Sequence, residues 1–255
     1  MKSAIAAQLY TLREYLRTPA DIATTLRRVK QIGYPAVQLS GLGAIDTQEL
    51  ANILQGEGLV AAATHVSYDE LTRDLPRVIY KHHTLSCQNA ALGALPGEFH
   101  HADGYHQFAH TGSEIARQLD TEGITFSYHN HSFEFEKYMG KTGMSMLFEQ
   151  ADPLLKAEID TYWVQHGGAD PISWIQSLRG RIVIVHLKDM AIINGEQVMA
   201  EVGEGNLNWP GILSACRESG VQWYAVEQDT CQRDPFESLA ISLHNLQAMG
   251  IATGE

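Results

Sequence analysis

Two hydrophobic patterns alternate along this chain. Short, nearly continuous apolar runs fall at Ala4–Leu9, Ala36–Leu39, Leu59–Thr64, Asn89–Leu92, Ile124–His129, Leu155–Ile159, Ile182–Leu187 and Trp223–Glu227. Runs of this length, apolar at successive positions, predict strands buried on both faces. Between them lie longer stretches in which apolar residues return every three or four positions, the helical period. In "PADIATTLRRVKQIG", Ile22, Leu26, Val29 and Ile32 share one face, Thr18 and Pro19 supply a cap and a first-turn residue, and Gly33 stops the helix. "TQELANILQGEG", "SEIARQLDTEG", "PISWIQSLRG", "WPGILSACRESG" and "PFESLAISLHNLQAMG" repeat the design. The segment Asp69–Thr84 must supply the third helix, with Pro76 in or near its first turn. Eight strand–helix units at a period of about 30 residues predict an α/β fold, a parallel barrel closed on itself.

Composition agrees with this and narrows the partners. At 255 residues the chain suits one (β/α)8 TIM barrel, and no Pro/Gly/Ser-rich linker divides it, so residues 1–255 are expected to form a single domain. Apolar residues make up 44% and charged residues 19%, enough to fill a large core. The net charge of −12 argues against nucleic acid and anionic lipid as partners. No apolar run approaches the ~20 residues of a membrane span, and the run in "MKSAIAAQLYTLREYL" stops at Gln8, too soon for a signal peptide. Cys87, Cys216 and Cys231 lack metal or redox spacing and read as reduced thiols of a cytoplasmic protein. A homo-oligomer is compatible with the pattern but not specified by it.

Function in a parallel barrel collects where strands end and loops begin. Strand three ends in "THVSY", five in "YHNH", six in "EIDTYW", seven in "HLKD" and eight in "VEQD". Five ends carry His, Asp or Glu, whereas the strand starts are apolar. Imidazole and carboxylate groups together suit a divalent first-row metal, and inward-facing strand ends converge at a barrel mouth. Asp160, His186 and Glu227 are therefore expected to share an ion. The fourth ligand lies on the strand-five side: either His129, at the end of the strand, or Glu134, from the following loop. Glu134 is the expected one, because three carboxylates hold Mn²⁺ or Mg²⁺ better than two carboxylates with two imidazoles. Each residue also has an ordinary structural explanation. Asp160 can cap a helix, His186 can be a hydrogen-bonded core histidine, Glu227 an ion-pair partner, and "YHNH" a polar network.

The remaining motifs carry less. His82, His83, His100, His101, His106 and His110 are expected to be solvated surface residues, and the i, i+4 pair His106/His110 lacks a third ligand. The glycine loops "GLGAID" and "GEGNLNW" do not fit a dinucleotide-binding pattern. No phosphate-binding loop or nucleophile elbow is present.

Taken together, "FSYHNHSFEF", "AEIDTYWVQHGGADP", "VHLKD", "VGEGNLNW" and "VEQD" resemble the xylose isomerase-like TIM barrel superfamily, which includes the sugar phosphate isomerases and epimerases. The match runs from "AAQLYTLRE" in the first strand to the eighth. The resemblance implies a divalent metal, Mn²⁺ foremost with Mg²⁺, Co²⁺ or Zn²⁺ as alternatives. It would be held at the barrel mouth by Glu134 (or His129), Asp160, His186 and Glu227, with His65 and His131 lining a sugar pocket. Three positions depart from the pattern. His129 stands where many members have Glu, Trp163 where many epimerases have His, and Asn208 where Asp is common; Asn208 is expected at a helix start. The H-N-H branch also resembles dehydratases and lyases that act on an inosose or a 3-keto-glycoside.

The chemistry implied is enediolate formation from a keto-sugar. A metal polarises the carbonyl, and Glu227 or Glu134 removes the neighbouring proton. His131 and His65 donate protons or orient the substrate, and Lys188 offsets oxyanion charge. Tyr162 and Trp163 are candidates for stacking on a sugar face, with His129 as a further substrate contact. Isomerisation or epimerisation is the expected outcome. Elimination, a non-catalytic sugar-binding barrel and an endonuclease IV-like DNA repair enzyme are the alternatives, the last disfavoured by the acidic charge.

Overall fold

The structure is a computed structural model that describes residues 4–251. Eight strands form its centre: β1 (Ala4–Gln8), β2 (Ala36–Leu39), β3 (Val60–Val66), β4 (Asn89–Leu92), β5 (Thr125–His129), β6 (Leu155–Asp160), β7 (Ile182–Leu187) and β8 (Trp223–Val226). Every neighbouring pair is parallel, and β1 pairs with both β2 and β8, so the sheet closes into a barrel. Helices alternate with the strands and cover the outer face, the (β/α)8 architecture that the apolar rhythm predicts. The main core lies between strands and helices, where Ile5, Tyr128 and Leu187 meet Ile22, Phe108 and Leu246.

Local chemistry sets the helix ends. Thr18 and Asp21 form a reciprocal capping box ahead of the helix Pro19–Ile32, and Gly33 closes it in the left-handed conformation at φ 118°. Asn208 caps Trp209–Ser219 by accepting from the Gly211 N–H, the structural role expected of it. Asp69–Thr84, expected as one helix, is two: Tyr68–Arg73 and Leu75–Thr84. Asp74 ends the first and caps the second, and Pro76 sits in the first turn of the second. A proline there lacks the N–H a continuous helix would need, so the chain breaks before it. His82, expected at the surface, is buried in the second of these helices. Its Nδ1 donates to the Val78 carbonyl at 2.8 Å and its Nε2 lies 2.9 Å from the Thr64 hydroxyl.

The barrel interior is layered. Lower down it is filled by Ala63, Val183, Ile184 and Ala225, with Ala6 and Ala36 in an adjoining cluster. Side chains alternate across a strand, so Gln8, Gln38, His65, Glu158 and His186 stand one inward step above these small residues. Narrow apolar packing below leaves the upper half to polar groups.

Two antiparallel hairpins interrupt the rhythm, Lys137–Tyr138 with Lys141–Thr142, and Asp189–Ile193 with Glu196–Ala200. The second turns at Asn194 (φ 52°) and Gly195 (φ 86°), a two-residue turn that the "NG" pair favours. The Asp189 carboxylate accepts from the N–H groups of Gly203, Gly205 and Leu207 and from Trp209 Nε1. It thus ties the "GEGNLNW" loop to the end of β7. A Cβ on Gly205 would lie 2.4 Å from Asp189 Oδ1 and 2.5 Å from the Met190 carbonyl. Gly205→Ala is expected to lower stability by about 1–3 kcal/mol, as overpacking does. Denaturant melts measure it, and an unchanged midpoint would show that the loop is not held by Asp189.

Candidate metal centre

Strand register brings the candidate ligands together. Asp160 pairs with His186 across β6 and β7, and His186 pairs with Ala225 across β7 and β8, which places Glu227 just beyond the end of β8. His129 closes the set from the end of β5. One ligand atom from each of His129, Asp160, His186 and Glu227 lies within 4.8 Å of all the others, and all four residues are buried. Glu134 lies outside this group. Its short 3₁₀ turn, Phe133–Phe135, directs the carboxylate to the Tyr128 hydroxyl (2.7 Å) and the His131 N–H (2.9 Å). Tyr128 packs on Phe108 in the helix layer, on the side of β5 away from His129.

The donor set fits a divalent cation. His129 Nδ1 lies 2.9 Å from the Gly93 carbonyl, which only accepts, so Nδ1 carries the proton and Nε2 presents a lone pair. That Nε2 is buried without a hydrogen-bond partner and lies 3.5 Å from Asp160 Oδ2, which is itself ion-paired with Lys188. Buried polar atoms are normally satisfied, so an unpartnered imidazole lone pair turned toward buried carboxylates suits a cation shared among them. Asp160 serves two ends. Its Oδ1 caps the helix Thr161–His166 through the Trp163 N–H at 2.9 Å, and its Oδ2 faces the cluster.

Charge in the site is tightly paired. Lys188 Nζ lies 3.0 Å from Asp160 Oδ2, 2.8 Å from Glu227 Oε2 and 2.7 Å from Asp229 Oδ2. Burial alone would raise the carboxylate pKa values, but Lys188 outweighs it and holds both Asp160 and Glu227 well below the usual range. Burial would likewise discharge His186, yet Glu158 and Glu227 keep its pKa raised. Asp229 moves the other way, its pKa raised by burial and by Glu227. His131 is pushed down to about 3 by burial and by His129. Burial raises Glu134 to about 7 despite the bonds from Tyr128 and His131.

A cleft of about 910 Å³ opens over the cluster, with Gln8, His65, His129, His131, Glu227 and Asp229 on its walls. His65 and His131 stand on the cleft wall. Tyr162 instead packs with Met190 and Met199 under the second hairpin. Trp163 lies against His131 and Lys188. His106 and His110 join no ligand group among the described residues. Glu158, Gln38, Gln8 and Asp229 went unread in the sequence as site residues. Glu158 was legible, since "EID" places it two residues before Asp160 and so on the same strand face.

Comparison with known proteins agrees with this architecture. No curated protein sequence matches the chain. A sugar phosphate isomerase/epimerase structure from Parabacteroides distasonis superposes with a TM-score of 0.78 at 23% identity, covering 97% of this chain and 94% of that one. An L-ribulose 3-epimerase superposes at 0.72 and 16% identity, covering 98% and 95%. The IolI protein with a bound zinc atom superposes at 0.73 and 12% identity over the whole of both chains. At these identities the likeness concerns the fold. The family model described as Xylose isomerase-like TIM barrel matches residues 26–246, and the chain belongs to that family.

Proposed function

We propose that this chain is a divalent-metal-dependent sugar isomerase or epimerase acting on a keto-sugar or related polyol through an enediolate. The observation that carries the reading is the convergence of His129, Asp160, His186 and Glu227 on one buried point beneath a polar cleft, with His129 Nε2 left without a hydrogen-bond partner. His129, Asp160, His186 and Glu227 would hold the ion, which supplies Lewis-acid polarisation of the substrate carbonyl. With two imidazoles in the set, Zn²⁺ and Co²⁺ compete with Mn²⁺ more strongly than a three-carboxylate site would allow. The bound zinc named for the IolI protein supports this.

The chain's own groups divide the remaining work. Glu227 stands at the cleft and accepts the proton next to the carbonyl; returning it to the other carbon or the other face gives isomerisation or epimerisation. His131 and His65 orient the sugar hydroxyls from the cleft wall. Lys188, fully buried and beside Glu227, offsets charge that develops on the substrate oxygen. Glu134 shapes the loop that carries His131 rather than reaching the cleft. Asp229, on the cleft wall and paired with Lys188, is a further carboxylate beside the substrate, and elimination is the second outcome. Asp69, Glu98 and Asp229 make the cleft a poor seat for a nucleic-acid backbone.

Dialysis against a chelator is expected to abolish turnover of a panel of free keto-sugars, inososes and 3-keto-glycosides, and Mn²⁺, Co²⁺ or Zn²⁺ to restore it. Full turnover by stripped protein would end the reading. Purified protein that carries and binds no metal would favour a sugar-binding barrel in which Lys188 is the resident cation.

A further inference from the structure

One step beneath the four candidate ligands lies a second polar layer, closed to solvent except at His65. Glu158 on β6 is its centre. Its Oε1 lies 2.7 Å from His65 Nε2 on β3, 2.9 Å from His186 Nε2 on β7 and 2.9 Å from Gln38 Nε2 on β2. Its Oε2 takes Gln38 Nε2 at 3.1 Å. Gln38 turns its other atom to His186, with Oε1 at 2.8 Å from Nε2. The rings of His65 and His186 stack with centroids 5.5 Å apart and planes 22° apart. Glu158, Gln38 and His186 are completely buried.

His65, Glu158 and His186 could also be read as a metal triad, but their atoms already have hydrogen-bond partners, with none left unpartnered. The layer reads as a positioning device. His186 Nε2 is surrounded by acceptors, the Glu158 carboxylate and the Gln38 carbonyl, so it keeps its proton, and Nδ1, 2.9 Å from Glu227 Oε2, is the nitrogen that gives up its proton to an ion. His65 Nε2 likewise faces a carboxylate and keeps its proton. Its Nδ1, 3.3 Å from the Ser40 hydroxyl, is then the lone-pair nitrogen beside the cleft.

We propose that Glu158 is a positioning residue that sets the tautomers of two histidines at once. It holds His186 Nδ1 toward the ion and His65 Nδ1 toward the cleft as a hydrogen-bond acceptor, so that ion binding and the state of His65 are linked through one carboxylate. The His186 half rests on the metal reading above; the tautomer of His65 does not. In a sugar complex His65 then accepts a hydrogen bond from a substrate hydroxyl instead of donating one.

The test uses full-length protein labelled with ¹⁵N-histidine, with Zn²⁺ as the diamagnetic probe. In the metal-free protein His65 should show the Nε2–H tautomer, and Nδ1–H would overturn the proposal without any mutant. Adding Zn²⁺ should shift the His65 ring nitrogens as well as those of His186. Zinc binding that leaves His65 unmoved would overturn the linkage while the metal reading stands. No zinc uptake at all would remove the metal reading and the His186 half with it. Glu158→Gln should leave His65 in mixed tautomers and weaken Zn²⁺ binding roughly 10–100-fold, the usual effect of losing a carboxylate behind a histidine ligand. A folded variant with unchanged zinc affinity and His65 shifts would overturn the proposal.

Discussion

Asp160→Asn should abolish the ion binding proposed for this protein. The substitution is isosteric, and the amide oxygen can still accept from the Trp163 N–H, so the cap on Thr161–His166 survives. What goes is the charge on the atom that faces His129 Nε2, His186 Nδ1 and Lys188 Nζ. Removing one partner from a buried charge cluster costs about 3–5 kcal/mol, so metal affinity should fall on the order of a thousandfold, with turnover falling alongside. Lys188 keeps Glu227 and Asp229, and the metal-free fold should survive. Asp160→Ser makes the complementary comparison, since serine can cap but cannot ligate. Metal content by mass spectrometry and thermal melts of both variants separate the two roles. If Asp160→Asn binds metal like the parent, Asp160 is a helix cap and no more.

Glu134→Gln should change the pH dependence of stability and leave the metal content alone. Glu134 is fully buried, and burial lifts its pKa from the ordinary 4.5 to about 7. A pKa raised on folding means that the folded state binds the proton more tightly than the unfolded chain. The stabilisation is complete below about pH 4.5 and is lost as pH rises through about 7. That gap is worth on the order of 3 kcal/mol. Glu158, Asp160 and Glu227, held low, act in the opposite direction at lower pH. The measurable quantity is therefore the difference in unfolding free energy between parent and Glu134→Gln, which should shrink by about that amount between pH 4.5 and pH 8. A flat difference would show that Glu134 stays charged. Loss of metal from the variant would return Glu134 to the ligand set, against its placement beside Tyr128.

That placement shows where sequence reading stops. "YHNHSFEF" offers two ligands at different distances from the end of β5, and the preference of Mn²⁺ or Mg²⁺ for oxygen ligands favours the carboxylate. The choice depends on whether the loop leaves the strand inward or outward. The Phe133–Phe135 turn carries Glu134 outward to Tyr128, and no spacing along the chain encodes that direction. His82 misled for a related reason: polar residues on a helix read as solvated unless a specific partner, here the Thr64 hydroxyl, is known to wait beneath them. The second hairpin is different. Its Asn194–Gly195 turn signal lies in the sequence, after an apolar run, Met190–Ile193, that only Lys188 and Asp189 separate from β7.

The sequence alone determined the periodic part of this protein. Eight apolar runs bury both faces, amphipathic segments with caps and glycine stops cover them, and right-handed parallel closure follows from those constraints with few alternatives. It also placed Asp160, His186 and Glu227 at strand ends, because strand period and chain order suffice for that. Only the tertiary structure decided which atoms meet. The barrel's register set Asp160 beside His186, its small alanine floor made room for Glu158 and Gln38, and cross-barrel contacts between residues as far apart as Gln38 and His186 were settled by closure. Contacts of that kind depend on direction and distance in three dimensions, whereas a pattern along the chain encodes only which face a residue occupies.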